Sequence, residues 1–536
     1  MLFVKYYFHL NLSKKIMNFL FLIILISSLG FLTIGSINFP IIKTIQPLNN
    51  NNPLNFKTQS FAKHKDFIVI CVEFSNRPAS TNPSSIMSKI SKMEDYYNEI
   101  SYGLLNISGT LAVPSGYDPD GDGWYNVGKY DVYYNFSNSV GSRDFLKRVY
   151  TVADPDVYFA KYKYIMIICA GNDMAQSYNP NDLHSHFISF SPGIIKDLRS
   201  ITNSTITAEL DPFSVYCHEF GHALGLPDLY DIDNDGINEY FVGRYALMAQ
   251  GSWNGGGQVP AGMMGFSRMN LSILDVSATV LNNTHKQVKL YSLSETNNSA
   301  LIKIPITGSK YYLIDYRKKV ETDRALPDQG VIISYVDESK GSHWNGTVMW
   351  QKNGPVRIQD AHPLTSGVNG LDDAPFDIGI NEISYFNDNT NNVHIVLLQK
   401  NGSDYYTIDI DRTNSTTDLT PPTTDVVVNG WYSGNTIFMG SIQLAPYDFK
   451  SGINKTYYRI NNGPWQNYNK YIIPPFSFLP TTYLIEYYST DNNGNIESIK
   501  SVSITMNNIF LLLIIGLIIG LVIFLIIYKL SKSKKK

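Results

Sequence analysis

The chain has 536 residues, 44% of them hydrophobic and 17% charged, enough apolar material for about three domains of roughly 150 residues each. Its 43 basic and 46 acidic side chains leave a net charge of −3, so the charge balance gives no support for a nucleic-acid partner, which needs a basic face. The 37 Tyr and the many Asn, Ser and Thr suit an extracellular, β-rich protein.

Residues 1–36 read as a secretory signal. Lys14 and Lys15 precede an apolar run from Phe19 to Ile34, and Gly35 and Ser36 supply small residues for cleavage. An uncleaved anchor is the alternative, but the run is short for a membrane span. Residues 37–64 are polar and Asn-rich, a spacer or short pro-segment. A catalytic domain is expected over 65–285. It opens with Asp66 to Phe74, a continuous apolar run that suits a strand covered on both faces. Ile86 to Ile100 has helical spacing, and Tyr162 to Ala170 is a second buried strand. This order predicts an α/β sheet with an active-site helix behind it. Three Cys cannot make a disulfide framework: Cys71 and Cys169 read as buried small hydrophobes, with a bridge between them open if their strands are neighbours.

Between those strands, Asp118-Pro-Asp-Gly-Asp-Gly-Trp-Tyr-Asn126 places Asp118, Asp120, Asp122 and Asn126 around a Gly turn. Alternate oxygens of this kind suit a hard cation such as calcium. A solvated turn is the plain alternative.

Asp211 to Asp228 carries the chemistry. His218-Glu-x-x-His222 puts two imidazoles at i and i+4 on one helix face, where both can hold one ion. Asp211 suits the N-cap, Pro212 the first helical position and Gly225 the C′ position. Beyond Gly225 the chain can turn back, so Asp228 can return as a third ligand. Zinc takes nitrogen and oxygen ligands tetrahedrally and keeps one position open in a catalytic site. Glu219 is placed to take the proton of a water the metal activates. Cys217 points about a quarter turn away from His218 on a helix and is not expected to ligate. His184 and His186 read as structural. The next loop, Asp231-Ile-Asp-Asn-Asp-Gly-Ile-Asn-Glu239, repeats the acidic pattern; Asp231, Asp233, Asp235, the Ile237 carbonyl and Glu239 can encircle calcium. Glu239 is also the rival third zinc ligand.

From residue 286 to 412 short β runs separated by Gly, Asn and Asp predict a β-rich domain packed on the catalytic one. Residues 413–424, with Pro421-Pro422, read as a semi-rigid linker. Alternating strands over 425–506 predict a β-sandwich. Residues 509–528 are almost wholly apolar and long enough to span a bilayer, and the Lys-rich tail at 529–536 would stay in the cytoplasm. The chain between is then exterior, and ten Asn-x-Ser/Thr sequons from Asn106 to Asn454 are compatible with glycosylation there.

Two resemblances add to this reading. His218-Glu-Phe-Gly-His-Ala-Leu-Gly-Leu-Pro-Asp-Leu-Tyr-Asp231 resembles the signature of immune inhibitor A-type metallopeptidases, a metzincin-like family. Ala246-Leu-Met-Ala-Gln-Gly-Ser-Trp253 resembles the family's Met-turn segment. Tyr96 to Gly103, Ser185-His186, Tyr312 to Arg317 and Leu326 to Gly330 also fit, so the resemblance spans roughly Asp66 to Ile408. It implies an extracellular zinc endopeptidase of mixed α+β and α/β fold acting on proteins or peptides, with Met248 as an apolar base under the metal. Asp228 stands where many metzincins carry His. Ser451 to Gln466 and Tyr487 to Glu497 resemble immunoglobulin-like surface domains, which implies a spacer or a contact with a cell-surface glycan or protein. A second class of function also fits the chain: an inactive surface adhesin that keeps a peptidase fold.

Overall fold

Strand β1 (Lys63–Glu73) is the spine of the first sheet in the computed structural model, which describes residues 63–128, 139–189, 193–231, 241–340, 354–363, 370–414, 417–477, 479–507 and 509–533. The expected signal and most of the spacer lie outside the described residues. β1 pairs in parallel with β2 (Leu105–Leu111) on one side and β4 (Tyr164–Cys169) on the other, and its far end with β3 (Tyr125–Asn126). The edge β5 (His186–Ile188) pairs antiparallel with β8 (Ser204–Ala208), giving the order β2-β1-β4-β8-β5. A small hairpin, β6 (Ile194–Lys196) and β7 (Arg199–Ile201), stands apart.

The alternation of β1 explains why its sequence is apolar throughout. Phe67, Val69 and Cys71 meet helix α1 (Pro83–Ile100) and helix α3 (Phe213–Ala223) on one face. Ile68, Ile70 and Val72 meet helix α2 (Ser139–Ala153) on the other. Each such side chain removed from water contributes about 1.5–3 kcal/mol. Cys71 and Cys169 belong to these opposite faces, so the bridge left open by the sequence does not form; all three Cys are free and buried.

Behind the helix layer lies a five-stranded sheet, β14-β13-β12-β11-β9 (Val356–Ile358, Gly330–Asp337, Lys310–Arg317, Leu301–Thr307, Ala278–Thr279). Leu301, Leu313 and Ile332 join the catalytic core on one face, together with Phe266 of helix α4 (Gly265–Asn270). Ile302, Ile314 and Ile333 pack on the other face against a four-stranded sheet, β10-β17-β16-β15 (His285–Tyr291, Tyr405–Asp411, Val393–Asn401, Tyr385–Asp388). The five-stranded sheet begins at Ala278, ahead of the expected start of the β region at 286, because β9 pairs with β11.

The last module is one six-stranded sheet, β18-β19-β23-β22-β20-β21 (Thr423–Ser433, Thr436–Tyr447, Lys500–Met506, Thr481–Asp491, Ile453–Ile460, Gln466–Asn467), around a core that includes Val426, Ile442, Ile485 and Ile504. It is seated on the preceding sheet rather than hung from it. Tyr385 stacks on Tyr447 at 3.7 Å, and Asn381 Oδ1 accepts from Val428 N at 2.8 Å. Thr423 and Thr424 of the expected linker are strand residues, and Asp418 and Thr420 are buried. Helix α5 (Ile509–Ser533) follows; 25 residues rise about 37 Å. Its described side chains, residues 516–528 and 530, are exposed, and the large ones are all apolar save the Tyr528 hydroxyl. No helix is long and apolar enough to cross a membrane when the described residues alone are searched.

Candidate active site

Helix α3 is set by its ends and by what lies under it. Pro212, not Asp211, is its N-cap, and no side chain caps it. The Asp211 carboxylate instead accepts from Ser185 Oγ (2.6 Å), Ala208 N (2.9 Å) and Gln176 Nε2 (2.5 Å), tying the helix entrance to β5 and β8. Burial, then the neighbouring Asp173, push Asp211 up to about 7. At the other end Gly225 takes φ +100°. Leu226 N donates to Gly221 O (3.0 Å) and Gly225 N to His222 O (2.9 Å), the paired bonds that close a helix on a left-handed residue. This turn sends the chain back so that Asp228 reaches the histidines.

His218, His222 and Asp228 converge, with their ligand atoms within 4.8 Å of one another. Asp228 Oδ1 lies 3.1 Å from His218 Nε2 and 3.2 Å from His222 Nε2. The other ring nitrogens are taken. His218 Nδ1 faces Leu247 O at 2.9 Å, and His222 Nδ1 faces Leu226 O at 2.8 Å. A carbonyl only accepts, so both Nδ1 atoms carry hydrogen. Each ring then turns Nε2 toward one carboxylate oxygen; in the neutral tautomer these are lone pairs that a cation between them would stabilise. The donor set of two imidazoles and one carboxylate fits zinc. Burial works to lower both imidazoles, but Asp228 outweighs it and raises them. Burial works to raise Asp228, and the two imidazoles hold it well below the usual carboxylate range.

Glu219 stands beside this group, buried, and burial pushes it up to about 8. Its Oε2 atom is buried with no hydrogen-bond partner. It lines a cleft of ≈ 270 Å³ together with His218, Tyr230, Asp173, His184 and Trp253. Tyr230 shares a hydrogen bond with Asp228 and lies 6.3 Å from the His218 ring. His186 is outside the cluster; burial lowers it to about 4, and its Nδ1 contacts His184 O at 2.6 Å.

The segment after the helix braces the site from below. Ala249 N donates to Ala246 O (3.1 Å), making a tight turn with Met248 inside it. A Cβ on Gly221 would meet Met248 Sδ at 2.7 Å, so the helix touches the thioether where it has no side chain. The same turn orients His218 through Leu247 O, and Met248 O accepts from Leu229 N at 2.7 Å, one residue past Asp228. Sequence reading singled out Met248 and missed these two carbonyls, which no residue type can signal. It also missed Tyr230, although its place two residues after Asp228 was a usable signal.

The acidic loop at 118–126 is described, and it gathers a further carboxylate from β1. Asp120 and Asp122 are brought together with Glu73, a carboxylate the sequence reading did not name, and Asn126 joins them through Glu73. Asp118 accepts from the backbone of Gly121, Asp122 and Gly123, and Asn126 Nδ2 donates to Glu73 Oε1 at 3.0 Å. Glu73 comes from β1, far away in sequence. Asp233, Asp235, Ile237 and Glu239 lie outside the described residues; Asp231 is described and is not in the His218 group. A third acidic group, Asp418, Asp448 and Asp491, meets where the linker joins the last module.

A helix presenting two histidines, a returning carboxylate, a buried glutamate and an open cleft make a candidate hydrolytic metal centre. Residues 191–272 match the family model described as immune inhibitor A peptidase M6, catalytic domain, a likeness that supports a metallopeptidase function. No curated protein matches the chain.

Proposed function

We propose that the chain is a membrane-anchored extracellular zinc endopeptidase with Glu219 as general base and His218, His222 and Asp228 as metal ligands. The observation that carries this is the Glu219 Oε2 atom, buried without a partner beside three converging donors and facing the cleft. When bound, zinc supplies positive charge that polarises the scissile carbonyl and the attacking water and favours the ionised form of Glu219. Glu219 takes the proton of the attacking water and passes it to the leaving nitrogen. Tyr230, at the cleft wall, gives its hydroxyl hydrogen to Asp228 at rest and turns it to the charge that develops on the carbonyl oxygen. Met248 gives the site an apolar floor.

Glu219→Gln keeps the size and loses the base. It should leave zinc content unchanged and lower cleavage of a denatured protein such as casein by about 10²–10⁴-fold. Undiminished, chelator-sensitive cleavage would remove Glu219 from the mechanism. An ectodomain with full zinc and no proteolysis would favour the adhesin reading.

Helix α5, apolar over its described part and followed by the Lys-rich tail, is the proposed anchor, with the bulk of the chain outside the cell. Calcium is the cation we assign to the Asp120–Asp122–Glu73 group and to the 231–239 loop, on the oxygen-only donors each offers. The last module, in this reading, is an immunoglobulin-like spacer.

A further inference from the structure

Seven exposed large apolar side chains of the last module are gathered at one end, while Ile496 and Ile499 lie in the β22–β23 connection at the other. Three segments meet there. The first is the β18–β19 hairpin around Gly434, the second is the approach to β22 over residues 471–477, and the third is the end of β23. The register fixes their proximity: Thr436 pairs with Thr505, Ile437 with Met506, and Thr481 with Met506. Tyr483 Oη donates to Pro475 O at 2.6 Å, holding the second segment in place. Trp431 is 50% exposed, Met439 51%, Tyr471 41%, Ile473 82%, Phe476 59% and Leu479 71%. Tyr471, Ile473, Phe476 and Met506 line one groove of ≈ 580 Å³.

Helix α5 starts three residues after Met506 and its backbone touches β19. The apolar end of the module is therefore the end from which the apolar helix leaves. The opposite end carries Asp418, Asp448 and Asp491, where β22 finishes. The apolar end also lacks acid: residues 429–446 and 465–477 contain no Asp or Glu, while exposed Lys470 lies over the Tyr471 ring at 5.1 Å. Trp and Tyr beside aliphatic side chains and a Lys match the chemistry of the headgroup layer, where an apolar body is buried and a polar tip stays wet.

We propose that this end of the module is a lipid-docking face that seats on the outer leaflet. It inserts Ile473, Phe476 and Leu479 at headgroup depth beside the first turn of α5. The inference rests on α5 being the anchor. With α5 and the docking face both engaged, the module stands upright on the membrane. Its contacts with the sheet that carries Tyr385 then hold the catalytic part at a fixed attitude.

The test uses the full chain in phosphatidylcholine–phosphatidylserine vesicles. Ile473→Cys and, separately, Leu479→Cys are labelled with an environment-sensitive fluorophore; Cys71, Cys169 and Cys217 are buried and stay unlabelled in the folded protein. Lys455→Cys, exposed near the far end of β22 through its pairing with Thr490, is the control. Lipids carrying a shallow spin label should quench the 473 and 479 probes and leave the 455 probe bright. Chains that float with the vesicles while neither the 473 nor the 479 probe is quenched overturn the docking face and leave the anchor standing. The face is equally overturned if those probes are shielded from water only by cross-linking to a second copy. Failure to float overturns the anchor itself.

Discussion

At Gly221 the helix has no room for a methyl group, and this is where the floor of the site is decided. Ala is a better helix former than Gly by about 1 kcal/mol, yet a Cβ here meets the Met248 sulfur at 2.7 Å, and Met248 is itself buried. Gly221→Ala should lower stability by about 1–3 kcal/mol by overpacking, read by denaturant unfolding. In a Met248→Ala background the same change should become neutral or stabilising, a coupling that a double-mutant cycle measures. Asp211 gives a pH signature. Its folded pKa, up to about 7, lies above the unfolded value near 4, so the folded state binds the extra proton. Its contribution is favourable below about pH 4 and is lost as pH rises through about 7. Thermal midpoints of wild type and Asp211→Asn across that window should diverge, with the variant declining less; parallel curves would remove Asp211 as the source.

Among the elements, β12 does the most to join the two halves of the peptidase. Arg317 and Asp323 are both fully buried and paired, with Arg317 Nε 2.9 Å and Nη2 2.6 Å from the carboxylate. Arg317 also donates to Tyr245 O and Gly262 O, both at 2.9 Å, which brackets the Met248 turn. Arg317→Ala leaves Asp323 buried without its counter-charge and should cost about 3–5 kcal/mol. Activity should fall with it, because the turn that orients His218 loses its support; a variant that unfolds like wild type would show the pair to be replaceable. Helix α1 does a related job on the other side. Tyr97 Oη donates to Cys217 O at 2.7 Å, Tyr96 Oη to Ala261 O at 2.9 Å, and Glu99 Oε1 accepts from Thr322 N at 2.8 Å. Tyr96, Tyr97 and Glu99 thus each hold a different segment around the site.

For the whole molecule, the line from peptidase to helix is stiffer than a linker composition suggests. Residues 413–424 look like a Pro-containing connector, but Asp418 and Thr420 are buried and Thr424 Oγ1 donates to Glu497 Oε2 at 2.6 Å. A chain ending at Met506 should appear in the soluble fraction, while the full chain should fractionate with membranes and be released only by detergent. Casein cleavage should be equal in the two, since α5 supplies nothing to the cleft. Full-length chain that stays soluble would rule out the anchor.

How much of this was legible depends on how local each feature is. The spacing of His218, Glu219 and His222 is visible because a helix repeats every 3.6 residues, and Gly225 marks its end because only a residue free to take positive φ closes it cheaply. The apolar run of β1 likewise announces a strand covered on both faces. Asp211 misled because its carboxylate found stronger partners in Ser185 and the β8 backbone than in the helix it precedes. What brings Glu73 to Asp120 and Asp122, the Leu247 carbonyl to His218, and Tyr471, Ile473 and Phe476 to Met506 is strand pairing and packing between segments far apart in the chain. Backbone carbonyls carry no residue signature, and exposure is a property of the packed surface. By itself the sequence determined the helix with its two histidines, its glutamate and the apolar end helix. Only the tertiary structure decided what orients the histidines, which acids meet, and which face of the last module is left apolar beside the end helix.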